Sequence, residues 1–157
     1  KNAKDSGTCK YILVDPRVTP NVHALADVHI QLRPGTDGAL ALCFANGLIE
    51  AGAYDKEFIE KWAHGFEEYK EYVKQFTVEK TAEICQVPAE TIQKAIDILV
   101  SEGAPIVCKG SAAFPHHTNG VNSYRAIQLL IPLTGSLDVP GGPAPALGDV
   151  LESVVGA

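Results

Sequence analysis

The chain has 157 residues, 46% of them hydrophobic and 20% charged, and a net charge of −6. That length and balance fit one domain able to bury a core and exclude wholesale disorder; no run approaches the ~20 apolar residues of a membrane-spanning helix. The acidic excess lies in the middle, with five Lys or Arg against four Asp or Glu in residues 1–49, six against twelve in 50–102 and two against three in 103–157, a distribution that disfavours nucleic acid as a partner.

From the N-terminus, Lys10-Tyr-Ile-Leu-Val14 is a short run of strand formers that stops at Asp15-Pro16, because proline lacks the N–H that a ladder needs. A polar turn with Pro16, Thr19, Pro20 and Asn21 follows. Val28-His-Ile-Gln-Leu32 alternates apolar and polar residues, predicting a half-exposed strand, and Arg33-Pro-Gly-Thr-Asp-Gly38 breaks it. Thr36 or Asp37 suits the N-cap of a helix predicted over 38–51. That helix is apolar on nearly all sides, so it should be buried, and Asn46 within it should need a partner.

Residues 55–102 predict a set of amphipathic surface helices that carry the acidic excess. Asp55 caps the first, which presents Phe58, Ile59 and Trp62 and ends at Gly65. Phe66, Tyr69, Val73 and Phe76 mark the next. Two more follow at about 78–85 and 88–102, the last with Ile92, Ala95, Ile96 and Leu99 at i, i+3, i+4 and i+7. Pro105-Ile-Val-Cys-Lys109 predicts a short buried strand ending at Gly110. A helix over roughly 118–134 should turn Val121, Tyr124, Ile127, Leu130 and Ile131 inward and fray at Pro132. The stretch 138–145 is rich in Gly and Pro and predicts a loop. Strand–helix alternation at both ends, with helices between, gives an α/β fold with a parallel sheet.

The residues that can carry chemistry cluster after the strands. Ligands of doubly wound folds bind beyond the carboxyl ends of the strands. Asp15 stands there and can accept from ribose hydroxyls, although an Asp-Pro turn also ends many strands. Pro34-Gly-Thr-Asp37 offers backbone amides and a carboxylate at a helix N-terminus; Asp37 can accept from N1–H and N2–H of a guanine, or simply cap the helix. Neither G-x-G-x-x-G nor a P-loop is present. His116-His117-Thr-Asn-Gly120 lies between a glycine loop and a helix, and adjacent histidines cannot both face one metal from a regular helix. His23, His29 and His64 are isolated. Cys9, Cys43, Cys85 and Cys108 are widely spaced, without a C-x2-C pair, and read as small buried or half-buried thiols. No Ser–His–Asp or Cys–His arrangement assembles, so no catalytic residue and no metal ligand is assigned. A competing reading takes the helices around Gln86-Val-Pro88 as a helix-turn-helix, but the second offers a single basic residue, Lys94, for phosphates.

Several pieces then coincide in order: Ile12-Leu-Val-Asp-Pro-Arg17, Ala26-Asp27, Leu32-Arg-Pro-Gly-Thr-Asp-Gly-Ala-Leu40, Tyr54-Asp-Lys-Glu-Phe58, Gly65-Phe-Glu-Glu-Tyr69, His117-Thr-Asn-Gly120, Arg125-Ala126 and Leu133-Thr-Gly-Ser-Leu-Asp-Val-Pro-Gly-Gly142. Over roughly residues 8–142 this combination resembles the molybdopterin oxidoreductase family, which includes dimethyl sulfoxide reductase and formate dehydrogenase. The resemblance implies a partial Rossmann-like parallel sheet with a helical insert: a nucleotide-binding segment over 1–52, the insert over 53–102, and a returning strand, helix and Gly/Pro-rich tail over 103–157. It implies a molybdopterin guanine dinucleotide with Mo or W. Asp15, Pro16 and Arg17 would serve the nucleotide end, and Pro34, Gly35, Thr36 and Asp37 the guanine or its ribose. Lys109, Gly110, His116, His117 and Thr118 would approach the pterin nearer the metal.

By the same resemblance, a first strand with its pyrophosphate turn, any iron–sulfur cysteines and the protein ligand to the metal would precede Lys1, and a further cofactor-gripping domain would follow Ala157. The chain begins without Met, as expected of an internal fragment of a catalytic subunit. Its partners would be the remainder of that subunit and electron-transfer subunits, in a prokaryotic cytoplasm or periplasm, and the fragment alone should not turn over. A strand edge left open should favour self-association. Two alternatives from other classes are a thiamine- or nicotinamide-type α/β domain, sharing turns such as Lys109-Gly110, and the helix-turn-helix interaction module.

Overall fold

The computed structural model describes residues 2–108, 116 and 118–143, which form a mixed α/β fold around one long buried helix. In chain order the elements are α1 (Asn2–Asp5), β1 (Ile12–Val14), α2 (Pro20–Leu25), β2 (Val28–Ile30), α3 (Asp37–Glu50), α4 (Lys56–Trp62), α5 (Phe66–Val73), α6 (Val78–Cys85), α7 (Ala89–Glu102), α8 (Gly120–Gln128) and α9 (Leu130–Leu133).

The two strands pair in parallel, with Ile12 opposite Val28, Leu13 opposite His29 and Val14 opposite Ile30. Asp27 sets that register. Its Oδ2 accepts from Tyr11 N at 2.8 Å and its Oδ1 pairs with Lys4 at 2.6 Å. These contacts hold the Asp27 carboxyl below the usual carboxylate range, the Lys4 bond contributing most and the Tyr11 amide next. Among the described residues β2 is the single partner of β1, so the other edge of β1 is uncovered. Pro105–Cys108, expected as a strand, runs outside the sheet: Ile106 N donates to the Ser136 hydroxyl at 2.9 Å rather than to a ladder.

The helix expected over 38–51 forms as α3 and is the centre of the core, burying Leu40, Ala41, Cys43, Phe44, Ala45, Leu48 and Ile49. Each large side chain among these contributes ~1.5–3 kcal/mol by leaving water. Against it pack Val73 of α5, Cys85 of α6, Ile92, Ala95 and Ile96 of α7, and Ile30 of the sheet. Buried Asn46 donates to Glu50 Oε1 at 3.2 Å, one turn along. In the helical insert the expected Asp55 cap forms, its Oδ1 accepting from Phe58 N at 2.9 Å, and Thr77, not singled out in the sequence, caps α6 with its Oγ1 accepting from Lys80 N at 3.3 Å. Trp62, expected inward, is 76% exposed, because α4 ends there and the chain turns away at Ala63.

The last helical stretch is broken into α8 and α9, with Pro132 inside the short α9. Its orientation corrects the sequence expectation. Ile127 is half-buried and Leu130 and Ile131 are buried, but Val121 and Tyr124 are exposed, and Gly120, Ser123 and Ala126 face inward instead. The approach to α3 is too close for large residues: a Cβ on Gly38 would lie 2.9 Å from Ser123 Oγ. Small residues on both helices, not apolar ones, mark this face.

Candidate functional site

Because β1 and β2 are parallel, the segments that follow them leave the same end of the sheet. Asp15 follows β1 directly, its N donating to Ile30 O at 3.2 Å. Its Oδ1 accepts from Arg17 N at 2.8 Å and from Arg17 Nε at 3.3 Å, while Oδ2 accepts from Arg17 Nη2 at 3.3 Å. The Arg17 guanidinium, and next its backbone N–H, hold the Asp15 carboxyl below the usual range. Pro16 lies between them, exposed.

Residues of β2 and its extension brace this turn from beneath. His29 Nε2 donates to Asp15 O and Gln31 Nε2 to Pro16 O, each at 2.8 Å. Sequence reasoning left both unassigned. Their signal was available in the alternation of Val28-His-Ile-Gln-Leu32, which places the two polar residues on one side of the strand.

The second segment, Arg33-Pro-Gly-Thr36, is a tight turn. Thr36 N donates to Arg33 O at 3.3 Å, and Gly35 has φ +86°, the backbone that a type II turn requires at its third position. Thr36 precedes α3 but does not cap it with its side chain; its hydroxyl donates to Arg33 O at 2.6 Å and locks the turn. The turn is tied to the helical insert, since Arg33 N donates to Cys85 O at 2.8 Å and Cys85 Sγ to Thr36 O at 3.8 Å.

Asp37 is the first residue of α3. It is half-buried, and its carboxylate makes no hydrogen bond or ion pair with another described residue. Here the helix macrodipole favours negative charge. Exposed Arg33, also without an ion-pair partner among the described residues, is a cation beside the turn that sequence reasoning missed.

The third candidate segment is described in part. His116 and Thr118 are exposed, while Lys109, Gly110 and His117 lie outside the described residues. The contact between Gly38 and Ser123 brings the first turns of α3 and α8 together, so Thr118, just before α8, comes in at the end of the fold that carries Asp37. A cleft of about 630 Å³ runs between β1 and Pro105–Cys108 and reaches Asp37, Leu40 and Phe44.

The donor set fits the nucleotide end of a pterin guanine dinucleotide. A guanine presents two adjacent N–H donors, and the Asp37 carboxylate has both oxygens unused by the described residues; a pyrophosphate needs cations, and Arg33 and Arg17 stand at the same end of the sheet. Among the described residues no three His, Cys, Asp or Glu side chains gather as a metal site.

Comparison with known proteins bears on this arrangement as a whole. The family model described as Molybdopterin oxidoreductase matches residues 1–151. The chain is 39% identical over 141 residues to the F420-dependent formate dehydrogenase 2 subunit alpha of Methanococcus maripaludis, covering 88% of this chain and 20% of that protein. It is 39% identical over 128 residues to the acetylene hydratase of Syntrophotalea acetylenica, covering 82% and 17%. Dimethyl sulfoxide/trimethylamine N-oxide reductase of Rhodobacter capsulatus is 32% identical over 145 residues, covering 88% and 17%. Among solved structures, acetylene hydratase from Pelobacter acetylenicus superposes with a TM-score of 0.80 at 36% identity, covering 90% of this chain and 19% of that one. The chain thus spans about a fifth of the length of the curated relatives it matches.

Proposed function

This chain belongs to the molybdopterin oxidoreductase family, and from that premise we propose that it is an internal part of a catalytic subunit and builds the nucleotide end of a molybdopterin guanine dinucleotide site. The family implies a molybdopterin cofactor with molybdenum or tungsten. This membership displaces the thiamine or nicotinamide reading and the helix-turn-helix reading. The α6–α7 pair is instead part of the core, burying Thr81, Cys85, Ile92, Ala95 and Ile96.

The observation that carries the proposal is Asp37: a half-buried carboxylate at the start of α3, beside a locked turn and without a hydrogen-bond or ion-pair partner among the described residues. It accepts the guanine N1–H and N2–H together, the bidentate geometry that a carboxylate suits best. Asp15, held ionised by Arg17, accepts a ribose hydroxyl. Arg33 and Arg17 offer their guanidinium groups to phosphate oxygens, and Pro16, Pro34, Gly35 and Thr36 shape the backbone around them. Lys109, Gly110, His116, His117 and Thr118 serve the pterin nearer the metal. When bound, the metal supplies two-electron redox or oxygen-atom transfer.

The relatives support a role in holding cofactor over one in choosing substrate. A formate dehydrogenase and an acetylene hydratase are equally similar to this chain, at 39% identity each, so what this region does is common to different reactions. The reaction, the metal ligand and any iron–sulfur cluster are set elsewhere in the parent. Relatives named as a subunit alpha favour a parent that works with electron-transfer subunits.

In the full-length parent, Asp37→Ala should lower bound guanine nucleotide, read as GMP released by acid hydrolysis, by about tenfold, the worth of a charged hydrogen-bond pair. Unchanged GMP content would overturn the reading.

A further inference from the structure

Two motifs far apart in the sequence, Tyr54–Phe58 and Leu133–Gly142, meet at one joint. Leu133 O accepts from Asp55 N at 2.9 Å, and the Asp55 carboxylate caps α4. Gly135, at φ +64°, is pressed against that carboxylate so closely that a Cβ would fall on Asp55 Oδ2. Gly142 is equally confined, with the Ser136 carbonyl oxygen where its Cβ would be, and a Cβ on Gly141 would touch Pro105 Cγ at 3.1 Å.

Inside this joint are two buried hydroxyls. Thr134 Oγ1 lies 3.0 Å from Leu130 O, Ser136 Oγ lies 2.7 Å from Thr134 Oγ1, and Ile106 N donates to Ser136 Oγ at 2.9 Å. Each hydroxyl has one proton. The carbonyl can only accept, so Thr134 donates to it; Ser136 then donates to Thr134, and its lone pairs take the Ile106 N–H. The bonds form a directed chain from the Ile106 amide through both hydroxyls to the end of α8–α9. Among the described residues, Pro105–Cys108 makes this hydrogen bond and no other.

We propose that the Thr134–Ser136 hydroxyl relay is a positioning device for the cofactor site, with Ser136 its positioning residue. It fixes the backbone at Ile106 and with it the segment Pro105–Cys108, which forms one wall of the cleft that reaches Asp37. The inference rests on the proposed function, which puts the cofactor at this end of the fold. It gives the Leu133–Gly142 motif a role no ligand contact explains: the hydroxyls hold the segment, and the glycines let the joint close on both sides.

The test uses the full-length parent carrying Ser136→Ala, Thr134→Val or Thr134→Ser. The readouts are amide hydrogen exchange at Ile106, bound pterin measured by fluorescence after oxidative release, and the melting temperature. Ser136→Ala and Thr134→Val should each speed Ile106 exchange at least tenfold and lower pterin content severalfold, with exchange in α3 unchanged. Thr134→Ser keeps the relay and should retain both protection and pterin. Unchanged Ile106 exchange in the first two variants overturns the relay. Faster exchange with full pterin content overturns its positioning role, and so does failure of both variants to fold, which would make the pair core packing alone. GMP content in Asp37→Ala reports on the underlying functional reading separately.

Discussion

The Asp15–Arg17 pair shows how much can be asked of one short turn. Arg17 is 77% exposed along its side chain and Asp15 27%, so the pair is a partly wet contact that solvent screens. The Asp15 carboxyl titrates below its value in the unfolded chain, the Arg17 side chain being the main cause and the Arg17 amide the next. Its stabilisation is therefore present above the unfolded carboxyl value of about 3.9 and is lost as pH falls through the folded one. Asp15→Asn should lower the urea midpoint slightly at pH 7, and the gap from wild type should close below about pH 4. A gap that persists at pH 2.5 would show that the carboxylate charge is not what Arg17 recognises. His29 and Gln31 would be untouched by this change, because both donate to backbone carbonyls.

At the scale of elements, α3 and α8 were unequally legible. The apolar run of α3 identified a buried helix because nearly every position is apolar, so no choice of face was needed. In α8 the apolar residues at 121 and 124 suggested the wrong face. Periodicity ranks residues by hydrophobicity, whereas the packed face here is selected by size: Gly38 on one helix and Ser123 on the other allow an approach that Val or Tyr would block. Ser123→Leu should accordingly destabilise the chain by ~1–3 kcal/mol through overpacking, whereas Val121→Ser, at a position 71% exposed, should stay within ~0.5 kcal/mol; urea unfolding of the two variants decides it. The turn at Pro34–Gly35 was legible because Pro fixes its own φ and Gly takes without strain the positive φ that the next position needs, although the side-chain cap expected of Thr36 did not form. Its tie to Cys85 was not, since a backbone-to-backbone bond across that distance leaves no side-chain signature. Over its described part, 105–108, the expected strand did not form for a similar reason: a neighbour's hydroxyl took the amide that a ladder would have used.

For the molecule as a whole, a two-stranded sheet in which, among the described residues, one edge of β1 has no strand partner is an adhesive surface. Val14 is 38% exposed there. The isolated chain should associate as its concentration rises in sedimentation velocity, and Val14→Lys should suppress that association; a monomer throughout the range would count against it. A different consequence follows from the bond between Arg33 N and Cys85 O. The helical insert ties the turn before Asp37 to its own backbone, so under the proposed function it would be a mount for the nucleotide. Under that proposal, exchange of this insert between relatives should re-aim the Asp37 carboxylate with every residue of the turn unaltered, and segment 53–102 would be a hidden determinant of nucleotide fit in any chimera.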